Sequence, residues 1–367
     1  MNDAPPPAIL DPVAAARAAK LRYVNDRKPG LTRVRVDNRF DYFDAKGQSI
    51  TDEEVIARIR KLAIPPAYTD VWICPDPRGH LQAVGRDARG RKQYRYHANW
   101  RVIRDEAKYS KMLVFGRVLP QIRERVQHDM RLHGLPKRKV VAALVALLET
   151  TMMRVGNEEY AKQNKSYGLT TLRNRHVRVK GGHVEFDFRG KHGIEHHIDL
   201  SDRHLARIVE RCRDLPGQDL FQFLDEHGER HAIGSEDVND YLHEVTGEDI
   251  TAKDFRTWAA TTLAAATLAE LQRFDTKAAA KKEVLRAVEG VAKRLGNTPA
   301  ICRKCYIHPA IFEGYLDGSL AEGLKHRADE ILETPAPGLT AQEIALTAFL
   351  SRRLGEALET PGKPLKP

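Results

Sequence analysis

The chain has 367 residues, 42% of them hydrophobic. That is too long for one ordinary core and too apolar for a disordered chain, and at about 150 residues per domain it predicts two or three domains. Sixty Lys and Arg against fifty Asp and Glu give a formal charge of +10, which favours a polyanionic partner. Four cysteines (Cys74, Cys212, Cys302, Cys305) are too few for a secreted disulfide scaffold. No run of about 18 apolar residues offers a transmembrane helix. The start, MNDAPPPAILDPVAAARAAK, lacks the basic-then-apolar order of a signal peptide, so a cytoplasmic protein is expected.

Residues 1–12 are Pro-rich and expected to be poorly ordered, with a short helix over 13–24. From Leu31 to Ile50 the alternation of Val34, Val36, Phe40 and Tyr42 around a DAKG turn predicts strands. Thr51, with Glu54 three residues on, predicts a capped helix that Pro65-Pro66 ends. VWICP, HLQAVGRD and RKQYRYH read as strands of a small antiparallel sheet. Residues 1–105 carry 20 Lys and Arg against 13 Asp and Glu, so most of the positive excess sits in this β-rich part. It is densest in GRDARGRKQYRYHANWRVIR, where aromatic rings alternate with bases. Such interleaving suits nucleic acid, because cations dock on phosphates while rings and amides reach bases and sugars.

Beyond residue 105 the pattern turns helical. KRKVVAALVALLETTMM is a helix that Gly156 is expected to stop, leaving Arg154 at its end. HVRVKGGHVEFDFRGKHGIEHHIDL alternates between KGGH and RGKHG turns, a three-stranded meander. Helices follow near 201–212, 235–245, 252–271, 276–295 and 341–357, before a Pro/Lys tail. The predicted fold is α+β: a β-rich N-terminal domain over 1–105 and a mainly helical domain over 106–367 containing the meander.

Four places hold polar residues that packing does not demand. Arg154 closes an apolar helix, and Lys191 tips the RGKHG turn. Arg256 stands in the first turns of a helix capped by Thr251 and Asp254, where the macrodipole disfavours a cation. In KRLGNTPAICRKCYIHP, Gly296 ends one helix and Thr298-Pro299 starts the next. That puts Asn297 in a turn and Tyr306 in an irregular, exposable segment before His308-Pro309. Singly, each has an ordinary reading as a surface ion pair, a solvated hairpin tip or packing. Cys302-x-x-Cys305 without a second pair is a weak zinc signal.

Together, RVGNEEY, FRGKHG, KDFRTW and LGNT…CYIHP, in that order, resemble the type IB DNA topoisomerases of bacteria and poxviruses. IPPAYTDVWI and GRKQYRYH resemble the amino-terminal domain of the same family, and the likeness spans roughly residues 30–315. The resemblance implies a tyrosine recombinase/topoisomerase IB-like catalytic fold and a Tyr306 nucleophile that forms a 3′-phosphotyrosyl link. It implies that Arg154 and Arg256 hold the non-bridging phosphate oxygens and that Lys191 protonates the leaving 5′-oxygen. Asn297 falls where poxviral members carry a histidine; asparagine there is similar to what bacterial members show and would donate a neutral hydrogen bond. Gln93, Tyr94, Tyr96 and Tyr160 match DNA-contacting positions, while Asn157 stands where poxviral members have a lysine. Arg91 and Lys92 are expected phosphate contacts in the same basic segment. The resemblance further implies a monomer acting on double-stranded DNA in the nucleoid, with two domains joined near Ile103–Tyr109 closing as a clamp.

The residue types suit that chemistry on their own terms. A phenol is a weak nucleophile at neutral pH and gains from neighbouring cations. Guanidinium stays charged and matches phosphate oxygens. A lysine at a mobile tip can protonate a basic leaving alkoxide. The ester conserves the bond energy, so neither nucleotide nor metal is expected as a cofactor. A tyrosine recombinase or integrase is the rival enzyme, but it usually carries His three residues before the second arginine, where this chain has Lys253. A non-catalytic DNA-binding protein of the same fold is the alternative from another class.

Overall fold

The computed structural model describes residues 12–37, 39–88, 90–271, 276–324 and 338–359. The Pro-rich start up to residue 11 and the C-terminal Pro/Lys tail lie outside the described residues. The chain divides into two compact units, Met1–Lys111 and Met112–Pro367.

In the first unit, helix α1 (Pro12–Ala18) is shorter than the expected 13–24, and Arg22 leaves it to bridge Gly79. Strands β1 (Leu31–Val36), β2 (Arg39–Phe43), β3 (Thr69–Ile73), β4 (Leu81–Arg86) and β5 (Lys92–Tyr96) form an antiparallel sheet in the order β2-β1-β3-β4-β5. Helix α2 (Glu53–Lys61) contributes Ile59 to a core with Leu31, Val71, Ile73 and Ala83. Its cap is Asp52 rather than Thr51: the Asp52 carboxylate accepts from Glu54 N at 2.8 Å and from Val55 N. Both residue types cap well, and the carboxylate also favours the positive end of the helix dipole. The helix ends at Lys61, before the prolines, and Ala63 takes a left-handed turn at φ 49°.

Helix α3 runs unbroken from Ala98 to Met130. The stretch where the two domains are expected to join, Ile103–Tyr109, and the boundary expected after residue 105 lie within this helix.

The second unit is built around α4 (Lys137–Thr151), whose Val140, Ala142, Ala143, Leu144, Val145 and Leu147 are fully buried. Helix α5 (Glu158–Asn164) follows. The meander β6 (Val177–Lys180), β7 (His183–Arg189) and β8 (Glu195–Ser201) is antiparallel in sequence order, and alternate residues Val184, Phe186 and Phe188 of β7 point into the core. Helix α6 (Arg203–Arg213) packs on it. A two-stranded hairpin, β9 (Gln222–Leu224) with β10 (Arg230–Ala232), was not expected, because three-residue strands are too short to show alternation. Helices α7 (Ser235–Thr246), α8 (Ala252–Glu270), α9 (Lys277–Leu295), α10 (Pro299–Cys305), α11 (Pro309–Asp317) and α12 (Ala341–Glu359) complete the unit. Among the described residues, no helix is long and apolar enough to cross a membrane.

Candidate active site

Arg154 lies beyond α4, not at its end. Met152 closes the helix in a left-handed conformation (φ 55°), and its N–H returns to Leu148 O at 3.0 Å. Gly156 does not stop the helix. Its φ of +106° goes with a close backbone crossing, since a Cβ on Gly168 would stand 2.6 Å from Gly156 Cα and 2.7 Å from Arg154 O. Leu169 N and Thr170 N then donate to Arg154 O and Val155 O at 2.9 and 2.7 Å. The backbone of Arg154 is thus clamped by the segment Gly168–Thr170.

Arg256 sits on α8 behind the Thr251/Asp254 cap, with Thr251 N donating to Asp254 Oδ2 at 2.8 Å. Its placement near a helix N-terminus has a physical reason. Arg256 is 4% exposed, and its guanidinium donates through Nη1 to Met152 O and through Nη2 to Leu295 O at 2.8 Å. Those carbonyls close the C-terminal ends of α4 and α9, so the negative ends of two other helices meet this cation.

Gly296 turns the chain out of α9 at φ 60°, and Thr298 caps α10. Asn297, between them, accepts from Arg154 Nη2 through Oδ1, and the same nitrogen lies 3.3 Å from Gly296 O. Tyr306 is the C-cap of α10, and His308 caps α11. The Arg256 guanidinium carbon stands 5.3 Å from the centre of the Tyr306 ring. Fully buried Thr261 of α8 fixes this junction: its Oγ1 lies 3.1 Å from Tyr306 O and accepts from His308 N at 3.1 Å.

Arg154, Arg256, Asn297 and Tyr306 therefore converge from four separate stretches of chain. Among the described residues both arginines bind carbonyl or amide oxygens and neither pairs with a carboxylate. Burial lowers the pKa of both, and Arg256 lowers that of Arg154 further, while the nearby Tyr306 acts in the opposite direction on each. Two further donors, Arg256 Nε and Asn297 Nδ2, are buried with no hydrogen-bond partner. Two close guanidiniums, no counter-carboxylate and unmet buried donors make a site whose missing partner is an anion.

Lys191 does not join this contact set. It stands on an exposed turn, Lys191–Gly193, closed by Gly190 N donating to Ile194 O at 2.8 Å. The imidazole of His196 on β8 lies between this turn and Gly296, and sequence reasoning did not single it out. Only its burial beside Arg154 and Arg256 in the folded chain marks it.

In the first unit, Tyr94 and Tyr96 are 46% and 39% exposed on β5, their rings 6.1 Å apart and near-parallel. Lys92 Nζ lies 5.7 Å from the Tyr94 ring. Arg91 is paired with Asp87 at 2.7 Å, Lys92 with Asp26, and Gln93 Nε2 donates to Asp87 at 3.0 Å. Both cations thus carry internal partners as well as exposed surface. Tyr160, 42% exposed, stands on α5, which Asn157 caps by accepting from Tyr160 N at 3.1 Å. Asn157 thus has a structural task that a lysine could not perform.

Residues 97–328 match the model of the eukaryotic DNA topoisomerase I catalytic core, and residues 39–87 that of the bacterial DNA topoisomerase IB N-terminal domain. The chain is 31% identical over 293 residues to DNA topoisomerase 1B of Acanthamoeba polyphaga mimivirus, covering 78% of this chain and 87% of that protein. It is 23% identical over 284 residues to DNA topoisomerase 1B of Vaccinia virus (strain Copenhagen), covering 75% and 86%. The rat mitochondrial DNA topoisomerase I is 29% identical over 171 residues, which cover 44% of this chain and 26% of that protein. With an anion site beside a tyrosine and a catalytic-core match over most of its length, the chain belongs to the type IB DNA topoisomerases.

Proposed function

We propose that the protein relaxes supercoiled duplex DNA by the following transesterification. Tyr306 Oη attacks a backbone phosphorus, the bond from phosphorus to the 5′-oxygen breaks, and the phenolic proton passes to solvent. Lys191 gives its proton to the departing 5′-oxygen. Arg154, Arg256 and Asn297 hold the non-bridging oxygens, on which charge grows in the transition state. The broken strand swivels while Tyr306 retains the 3′-phosphate, and the 5′-hydroxyl then reverses the step. The bond energy stays in the phosphotyrosyl ester, so closure needs no nucleotide, and the guanidiniums supply the charge neutralisation that a metal would otherwise give.

The observation that carries this reading is the unmatched pair of guanidiniums with the orphaned Arg256 Nε and Asn297 Nδ2 beside the Tyr306 ring. The first unit, with Arg91, Lys92, Gln93, Tyr94 and Tyr96 on and beside β5, would add duplex affinity, as would Tyr160. Arg91 and Lys92 hold Asp87 and Asp26 while staying partly exposed, so each keeps donors that can meet a phosphate. A monomer acting on chromosomal DNA in the nucleoid completes the reading.

Plasmid relaxation in EDTA, without nucleotide, tests it. The wild-type chain should relax supercoils and leave a covalent adduct on a denaturing gel. Tyr306→Phe should do neither while still binding duplex. Relaxation at wild-type rate by Tyr306→Phe would overturn the nucleophile. Exchange of strands between two duplexes would point to a recombinase, and binding without any adduct in the wild type would point to a non-catalytic protein.

A further inference from the structure

We infer that His196 is a positioning residue: its ring is the spacer that sets the Lys191 turn against the anion site. The inference rests on the reading of Lys191 as proton donor. His196 pairs with Phe188 across β7 and β8, and the two rings stack at 5.0 Å and 16°. Phe188 is 4% exposed, so one face of the imidazole is braced by core. Its edges meet two glycines. A Cβ on Gly190 would stand 2.6 Å from Cδ2 and Nε2 of the ring, and a Cβ on Gly296 would stand 2.6 Å from Cε1. Those glycines directly precede Lys191 and Asn297.

The two turns are not held alike. The Asn297 turn has its own supports: Asn297 N donates to Ala292 O at 3.0 Å, Thr298 caps α10, and Arg154 binds Asn297 Oδ1. The Lys191 turn is exposed and is closed by the Gly190–Ile194 bond. Removing the ring therefore releases the lysine and leaves the anion site in place. Burial first, then Arg154, Arg256 and His197, favours the neutral imidazole, so the spacer adds no third cation beside the guanidiniums.

Single-turnover cleavage separates this role from a general loss of structure. Two substrates are compared: an ordinary phosphodiester and one with sulfur as the bridging 5′ atom, whose thiolate leaves without a proton. Lys191→Ala should be slowed about 10²–10⁴-fold on the first and largely restored on the second. His196→Ala should be slowed about 10–100-fold on the first and restored on the second, with duplex affinity unchanged. His196→Phe, which keeps a flat ring against Phe188, should cleave both within a few-fold of wild type. Gly190→Ala, whose φ of −94° accepts alanine, displaces the ring from outside and should copy His196→Ala even where that variant folds poorly. The inference is overturned if His196→Ala and Gly190→Ala lose equally on both substrates while Lys191→Ala is restored, or if both match wild type. Failure of the sulfur substrate to restore Lys191→Ala overturns the Lys191 reading itself, and the inference with it.

Discussion

Asn297→Asp separates the anion site from the fold more sharply than a truncation does. The side chains are nearly isosteric, and the change replaces the orphaned Nδ2 with oxygen. The bond that Arg154 makes to Oδ1, already charge-assisted through the guanidinium at about 1.5–3 kcal/mol, persists and becomes an ion pair. Thermal stability should therefore stay level or increase. Cleavage should fall steeply. A carboxylate about 4 Å from a phosphate oxygen costs about 4 kcal/mol at an effective dielectric of about 20, and the lost donor adds about 1.5–3 kcal/mol. At about 1.4 kcal/mol per factor of ten, the single-turnover rate drops at least about 10³-fold. Asn297→Ala, which loses the donor but adds no charge, should drop about 10–100-fold. Rapid-quench cleavage of a labelled duplex gives the rates, and a melting curve gives the stability. If Asn297→Asp cleaves within tenfold of wild type, or no more slowly than Asn297→Ala, no phosphate sits against this side chain.

Glu343 is 7% exposed and accepts from both terminal nitrogens of Arg123 (2.9 and 2.8 Å), from Trp258 Nε1 at 3.1 Å and from Thr340 N at 2.9 Å. Glu343→Ala should destabilise the chain by about 3–5 kcal/mol in urea titration, and a loss under 1 kcal/mol would show that the network relaxes around the gap. His176 is buried and its pKa is lowered from 6.5 to about 4 by burial and by Arg175 and Arg173, with Nδ1 accepting from Arg173 N at 3.0 Å. Below pH 6.5 the unfolded chain takes up a proton that the folded chain refuses, so stability should decline as pH falls to about 4 and level off beneath it. The decline is bounded at about 3 kcal/mol; His176→Asn should flatten it, and an equal slope in that variant would refute the assignment. Asn157→Ala removes the α5 cap and should cost about 1 kcal/mol locally, speeding amide exchange in α5 several-fold with little change in the global melt. Unchanged exchange there would show that the cap is idle.

Much of this architecture was legible from residue order. The alternations around Val34 and around Val184 marked both sheets, and Gly296, Thr298-Pro299 and His308-Pro309 marked the turns that present Asn297 and Tyr306. The misses have local causes. Thr51 and Asp52 are adjacent and both cap well, so the helix start shifted by one residue. Gly156 resembled a stop, yet Met152 took the left-handed turn and the glycine served a crossing with Gly168. Helix α3 starts at Ala98, earlier than the helical pattern expected beyond residue 105, because its basic first turns continue the composition of β5. His196 could not be read from the sequence at all. One histidine among EHH acquires meaning only when the chain brings Gly190 and Gly296 to its two edges.

Thr261 ties the backbone of Tyr306, the proposed nucleophile, to α8, five residues along the helix from Arg256. A protein that holds one end of a rotating duplex carries a mechanical load through that tyrosine. On the proposed mechanism that load would meet Thr261 and a helix whose Phe255, Trp258, Ala260, Ala264 and Leu268 are buried. Tyr306 and Arg256 are thereby anchored to one helix, so a shift of α8 moves the tyrosine backbone and the guanidinium together.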